Sequence, residues 1–331
     1  MNNFKKIGLS ALAGSLAAFT TASAVEMSAA GSAKLTYKNG HSTEVNGNPY
    51  GMNTSISFTG SGDVNGYETS LLVTHADQNG GMSSASLTVD LGDMGKVSFD
   101  QSVGIGGIST IDDKTPSANE EVWDGLDAVT GDSNGLVGGG NAGAFVYSNT
   151  LMGSSFSAQL TKGAAATSSD DATGGEGSTG TSWDFAVQNS EMAPGMNVGF
   201  GYGEIANAKT SGQNADDESN HRTVFATYSI GMATIGAQLS KVEDNTVDGD
   251  DESAQGFGIA LNLMEGLSVS YGEREIDHSA TGKTTEDQEG LALAYTVGAA
   301  KVSVQQNEVS NNAGTKGAAD EMTEIALSLS F

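Results

Sequence analysis

The chain ends in "EIALSLSF" (residues 324–331), eight residues that alternate between apolar and small or polar side chains up to the last ring. Extended, this stretch puts Ile325, Leu327, Leu329 and Phe331 on one face and Glu324, Ala326, Ser328 and Ser330 on the other. Chain ends usually fray and are polar, because nothing ties them down. A terminus patterned this strictly predicts a strand whose edges are both paired.

Working back through the chain, the same period of two recurs. "SAKLTYK" (32–38) sets Ala33, Leu35 and Tyr37 against Lys34, Thr36 and Lys38, and "TSISFTG" (54–60) sets Ile56 and Phe58 against Ser55, Ser57 and Thr59. "SASLTVDL" (84–91) and "GKVSFDQSV" (95–103) follow, the latter setting Val97, Phe99 and Val103 against Lys96, Ser98, Asp100 and Ser102. Continued to the terminus, the pattern gives sixteen strands. An even number suits an antiparallel barrel with both termini on one side.

The connections alternate as well. "GSGDVNG", "GDMG", "NTLMG", "SEMAPG", "SIGM", "LMEG" and "TVGA" are short, whereas residues 104–140, 163–180, 205–220 and 243–252 form long, polar and acidic links. "DQNGGM" (77–82) is the one modest link in the long set. Short periplasmic turns alternating with longer extracellular loops are the signature of an outer-membrane barrel. A β-sandwich predicts irregular spacing and a solenoid a fixed repeat, and neither is present.

Composition narrows the partners. The formal net charge is −27, with 41 acidic residues against 14 basic ones, which excludes the basic stripe that nucleic acid requires. No window is long and apolar enough for a transmembrane helix, but an alternating barrel averages to near-neutral hydropathy, so that absence does not argue for solubility. "MNNFKKIGLSALAGSLAAFTTASA" (1–24) has a basic start, an apolar stretch and a small-residue end, the pattern of a cleaved signal peptide, and 25–331 is then a single barrel domain. There are no cysteines, so disulfides and thiolate chemistry are excluded.

In lipid every strand edge must be paired, so the last strand must close on the first, with Phe331 at the periplasmic interface. An alternating terminal strand ending in Phe also resembles the signal read by the outer-membrane assembly machinery. With "LGDMGKVSFDQSVGIGGIST" (91–110), which looks like a turn and fifth strand running into a constriction loop, the chain resembles the sixteen-stranded general diffusion porins of alphaproteobacteria. The resemblance implies an all-β transmembrane antiparallel barrel, a homotrimer in contact with outer-membrane lipid and lipopolysaccharide, and a third long loop, residues 104–140, folded into the lumen. It also implies an arginine-rich wall facing that loop. Here the sequence departs from the family, since Arg222 and Arg274 are its only arginines.

Asp112, Asp113, Glu120, Glu121, Asp124, Asp127 and Asp132 stand in this loop against the single Lys114. Lining a pore, such carboxylates concentrate cations and repel anions; left in solvent they are only a charged loop. "EEVWDGLD" (120–127) favours order, with Val122, Trp123 and Leu126 on one face of a short helix. Parity turns Lys34, Lys38, Lys96 and Arg274 toward the lumen and puts Arg222 with the apolar Val224 and Tyr228, at the extracellular rim.

No nucleophile elbow, zinc-protease motif or dinucleotide fingerprint occurs, so the sequence offers no enzyme. His41, His75, His221 and His278 all fall on the long-loop side, where polar loops collect histidine anyway. Asp248, Asp250, Asp251 and Glu252 in "EDNTVDGDDE" (243–252) offer oxygens for Ca²⁺ or Mg²⁺, but without EF-hand spacing the segment reads first as a solvated loop. The expected function is passive diffusion of small hydrophilic solutes and ions, moderately cation-selective. The alternative is an adhesin or loop-binding barrel, disfavoured by the Ser-, Thr-, Gly- and Gln-rich inward positions.

Overall fold

Strict alternation gives each strand two different faces, and sixteen such strands close on themselves. The computed structural model describes residues 26–40, 48–76, 82–131, 135–139, 143–162, 180–206, 218–244 and 250–331. The strands are β1 (Glu26–Gly40), β2 (Tyr50–Val64), β3 (Tyr67–Ala76), β4 (Met82–Asp90), β5 (Lys96–Gln101), β6 (Ala144–Leu151), β7 (Ser154–Lys162) and β8 (Thr181–Asn189). They continue as β9 (Met196–Ala206), β10 (Glu218–Ile230), β11 (Ala233–Asp244), β12 (Glu252–Met264), β13 (Leu267–His278), β14 (Glu286–Val297), β15 (Ala300–Ser310) and β16 (Ala319–Ser330). Each pairs antiparallel with its sequence neighbours, and β16 closes on β1. Residues 1–24, expected to be a signal peptide, and Asp132, Asp248 and His41 lie outside the described residues.

Seven tight turns, at 65–66, 91–95, 152–153, 190–195, 231–232, 265–266 and 298–299, occupy one end. Two of them put both central residues at positive φ, Asn65–Gly66 (56° and 91°) and Met152–Gly153 (51° and 73°), as a two-residue type I′ hairpin turn requires.

The barrel is inside out relative to a water-soluble one. On β16, Ile325, Leu327 and Leu329 are exposed, whereas Glu324 is 3% and Ala326 2% exposed. The same holds around the wall: Leu35, Phe58, Leu87, Phe200, Leu239 and Leu291 face outward, and Ser86, Ser98, Thr223, Gln238, Ser270 and Gln305 face inward. At roughly 25 cal/mol per Å², an apolar outer belt of this extent requires an apolar covering.

Among the described residues the buried apolar packing inside the barrel forms three small clusters, each joining the wall to the connection between β5 and β6. Trp123, Leu126 and Val129 pack on Val309 and Met322; Ile111 on Ala186 and Phe225; and Leu136 on Ala254 and Ile276. That connection runs over residues 102–143.

Candidate functional site

The connection is turned inward at its first residues. β5 stops at Gln101, short of the expected strand position Val103, because Ser102 adopts φ 65° and the buried Asp100 carboxylate accepts the N–H groups of Val103, Gly104 and Ile105 at 2.8–3.0 Å. A 3-10 turn follows (Gly107–Ile111), with Ile108 N–H donating to the buried Asp184 at 2.6 Å. From there the segment travels along the inner wall, held by one polar side chain after another. Gln238 donates to the carbonyls of Ile111 and Asp112 and accepts Lys114 N–H; Ser270 accepts Ala118 N–H at 2.9 Å. Gln305 accepts Glu120 N–H and donates to Glu121 O, and Asn307 donates to the carbonyls of Glu121 and Asp124. Asp320 accepts Asp127 N–H at 2.8 Å, and His221 Nδ1 accepts Gly138 N–H at 3.0 Å. A buried backbone must find partners for its N–H and C=O groups, and here the wall supplies them.

A trough of missing side chains makes this close approach possible. Gly236 pairs with Gly258, Gly258 with Gly272 and Gly272 with Gly290, an unbroken row across β11–β14. A Cβ on Gly258 would lie 2.7 Å from Pro116 O, one on Gly236 2.8 Å from Pro116 Cδ, and one on Gly272 2.8 Å from Val122 Cγ1. The row is legible in the sequence only once inward parity and cross-strand register are known together. The same is true of Asp100, Asp184, Gln238 and Asn307, which sequence reasoning passed over as ordinary polar inward positions.

The stretch 120–127 folds as successive turns rather than the expected short helix. Asp124 N–H donates to Glu121 O and Leu126 N–H to Trp123 O, and Gly125 sits at φ 75°, outside helical geometry. The turns still present Trp123 and Leu126 to the wall.

The charges divide into an open and a sealed set. Lys34 Nζ lies 2.8 Å from Glu324 and 3.5 Å from Glu120, and Lys38 Nζ lies 3.4 Å from Glu324, so the loop carboxylate and the wall cations of β1 meet. Lys96 is apart from them, paired with Asp90 at 3.0 Å near the tight-turn end. Arg274 points inward but is only 4% exposed, sealed beneath Trp123 with its guanidinium 4.2 Å from the ring centroid, a cation–π contact. Arg222 faces outward and pairs with Glu243 at 2.8 Å. In the loop, burial pushes the Asp112 carboxyl up to about 6 and that of Glu121 up to about 7, with the neighbouring Asp113 adding to the latter. Burial also raises Asp124, with Glu120 contributing. Asp127 is bound through its backbone at the exposed edge.

The fold is that of the bacterial porins. An anion-selective porin from Comamonas acidovorans is similar at TM-score 0.65 and 13% identity, over 93% of this chain and all of that one. OmpT, an outer membrane protein of Vibrio cholerae, is similar at TM-score 0.65 and 14% identity over 94% and 99% of the two chains. A triple mutant of Rhodopseudomonas blastica porin follows at TM-score 0.58 and 12% identity, over 92% and 100%. No protein-family model and no curated protein matches the chain.

Proposed function

We propose that the chain is a non-enzymatic porin of the bacterial outer membrane, a water-filled passage for small hydrophilic solutes and ions that moderately favours cations. The observation that carries this reading is the inside-out barrel with a long acidic connection hydrogen-bonded along its inner wall. Tyr37, Tyr50 and Trp183 near the long-connection end and Tyr67, Tyr228, Tyr295 and Phe331 near the tight-turn end support two interfacial aromatic girdles. In this arrangement the tight turns face the periplasm, the longer connections face outward, and residues 102–143 narrow the lumen.

The hydrogen bonds named above hold the connection to β8, β10, β11, β13, β15 and β16, and Gly107 N–H donates to Ser157 Oγ on β7 at 2.9 Å. The passage then runs between its free edge, with Glu120 and Asp124, and the β1 side with Lys34 and Lys38. Both lysines already face Glu324, and Arg274 is covered, so the accessible potential is set by the loop carboxylates. Two unit charges at 4 Å interact by only about 1 kcal/mol through bulk water, and several-fold more against low-dielectric protein, so the preference is moderate and weakens with salt.

Family likeness adds a homotrimer, contact with lipopolysaccharide and delivery by the outer-membrane assembly machinery. The test is reconstitution in planar bilayers, where trimeric conductance steps are expected. Joint replacement Asp112→Asn, Asp113→Asn, Glu120→Gln and Glu121→Gln is expected to shift the zero-current potential in a salt gradient toward zero. An unchanged potential, or chloride preference in the natural chain, would sink the assignment of this loop as the constriction.

A further inference from the structure

A second cluster of ionisable groups sits at the long-connection mouth, away from the loop's acidic edge. Glu252 opens β12, His278 closes β13 and Glu286 opens β14, so three strand ends converge. Glu252 is the cross-strand partner of His278, and Ile276, two residues before it, is that of Glu286. Asp250 joins from the preceding connection, its Oδ1 fixed by Ala280 N–H at 2.8 Å, which leaves Oδ2 facing the imidazole.

His278 Nδ1 lies 2.9 Å from Asp250 Oδ2 and 3.5 Å from Glu252 Oε1, and the three ligand atoms all lie within 4.8 Å of one another. Nitrogen and oxygen ligands each about 2.1 Å from one ion stand about 3.0 Å apart at octahedral angles and about 3.4 Å apart at tetrahedral ones, so the two distances from Nδ1 match those between ligands of one ion.

An independent observation comes from the other side of the ring. The His278 side chain is 1% exposed and that of Glu286 0%, and Nε2 of the one faces Oε2 of the other at 3.9 Å. Neither atom has a hydrogen-bond partner. A metal-ligating histidine usually directs its second ring N–H at a carboxylate that fixes the tautomer and the ring orientation, and Glu286 stands where that carboxylate belongs.

We propose that Asp250, Glu252 and His278 Nδ1 bind one divalent transition-metal ion, with Glu286 as the positioning carboxylate behind the ring. An imidazole with two carboxylates selects the zinc class over the hard ions Ca²⁺ and Mg²⁺, which prefer all-oxygen sets. The sequence put His278 on the long-loop side but not beside the carboxylates of 243–252, so it offered those oxygens to the hard ions; strand pairing brings the imidazole to them. The ion ties the connection before β12 to the ends of β13 and β14, and its binding is independent of whether the barrel conducts.

The test is isothermal titration of the detergent-solubilised full chain with ZnCl₂ after removal of metal by a chelator. One saturable site per chain is expected. His278→Ala and Glu252→Gln should each weaken it by about tenfold or more, and Glu286→Gln by about 10- to 100-fold. Heat-modifiable migration checks that each variant is folded, and two separate ligand variants guard against the loss of one. Absence of a saturable zinc site in the natural chain, binding unchanged in the ligand variants, or MgCl₂ binding as tightly as ZnCl₂ would overturn the proposal.

Discussion

Asp112 and Glu121 illustrate how one loop makes acids of different strength. Both are carboxyls on the same acidic insert, yet burial raises Asp112 to about 6 and, with Asp113 beside it, Glu121 to about 7. A raised carboxyl is neutral below its pKa and charged above it, so the loop gains negative charge as pH climbs from 5 to 8. Cation preference is therefore expected to rise over that window. The reversal potential of the reconstituted protein, measured in a fixed salt gradient at pH 5, 6, 7 and 8, tests this. The Glu121→Gln protein should lose the upper part of the slope while keeping the lower part from Asp112. A potential flat across the range would show that neither carboxyl faces the conducting path, and a slope unaltered by Glu121→Gln would remove Glu121 from it. At this scale the sequence was informative about residue type and parity: Lys34, Lys38, Lys96 and Arg274 all turn inward as their phase requires. It was silent about accessibility. Arg274 lies under Trp123 because the loop's path, which follows no period, covers it.

The elements were legible because each strand repeats one simple rule, and each of the seven tight turns carries a Gly at positive φ, with Asn65 or Met152 before it in two of them. The connection 102–143 was legible as an insert but not as a path, since its contacts are set by complementary gaps and polar anchors on distant strands. The row Gly236, Gly258, Gly272 and Gly290 is the clearest instance: four glycines far apart in sequence form one trough only once the four strands β11–β14 are in register. A valine at Gly258 would collide with Pro116 O, a backbone atom that cannot rotate away. Overpacking of this sort costs about 1–3 kcal/mol, more than the roughly 1 kcal/mol of a typical single anchor hydrogen bond. Relief by moving the loop off the wall is thus expected. Gly258→Val should lower single-channel conductance while leaving the heat-modifiable barrel intact. Gly60→Val is the control, because a Cβ there meets nothing within 4 Å. Equal conductance in the two variants would mean that the loop does not narrow the passage.

For the molecule as a whole, the decisive contact is the one that removes the last edge. Phe331 and Gly31 exchange both backbone hydrogen bonds, Gly31 N–H to Phe331 O at 2.7 Å and Phe331 N–H to Gly31 O at 2.9 Å, just beyond the last β1–β16 pair, Ser32 with Ser330. The ring lies over Gly31, where a Cβ would come within 2.4 Å of Phe331 Cε2, and is nonetheless 77% exposed. It therefore has a seat on β1 and a free outer surface, and these imply separable roles. If the ring acts chiefly as a tag read before closure, deleting Phe331 removes the tag, whereas Gly31→Val only unseats it. Deletion of Phe331 is accordingly expected to cut the amount of folded protein in the outer membrane severely while leaving normal unit conductance in whatever assembles. Gly31→Val is expected to assemble near the normal level but to lose its folded, heat-modifiable form at a lower temperature, because the closing pair has lost its packing. Membrane fractionation with quantitative blotting, followed by a heating series in detergent, reads both outcomes. Normal membrane levels of the truncated chain would refute the recognition role, and equal assembly defects in the two variants would assign the ring to closure alone.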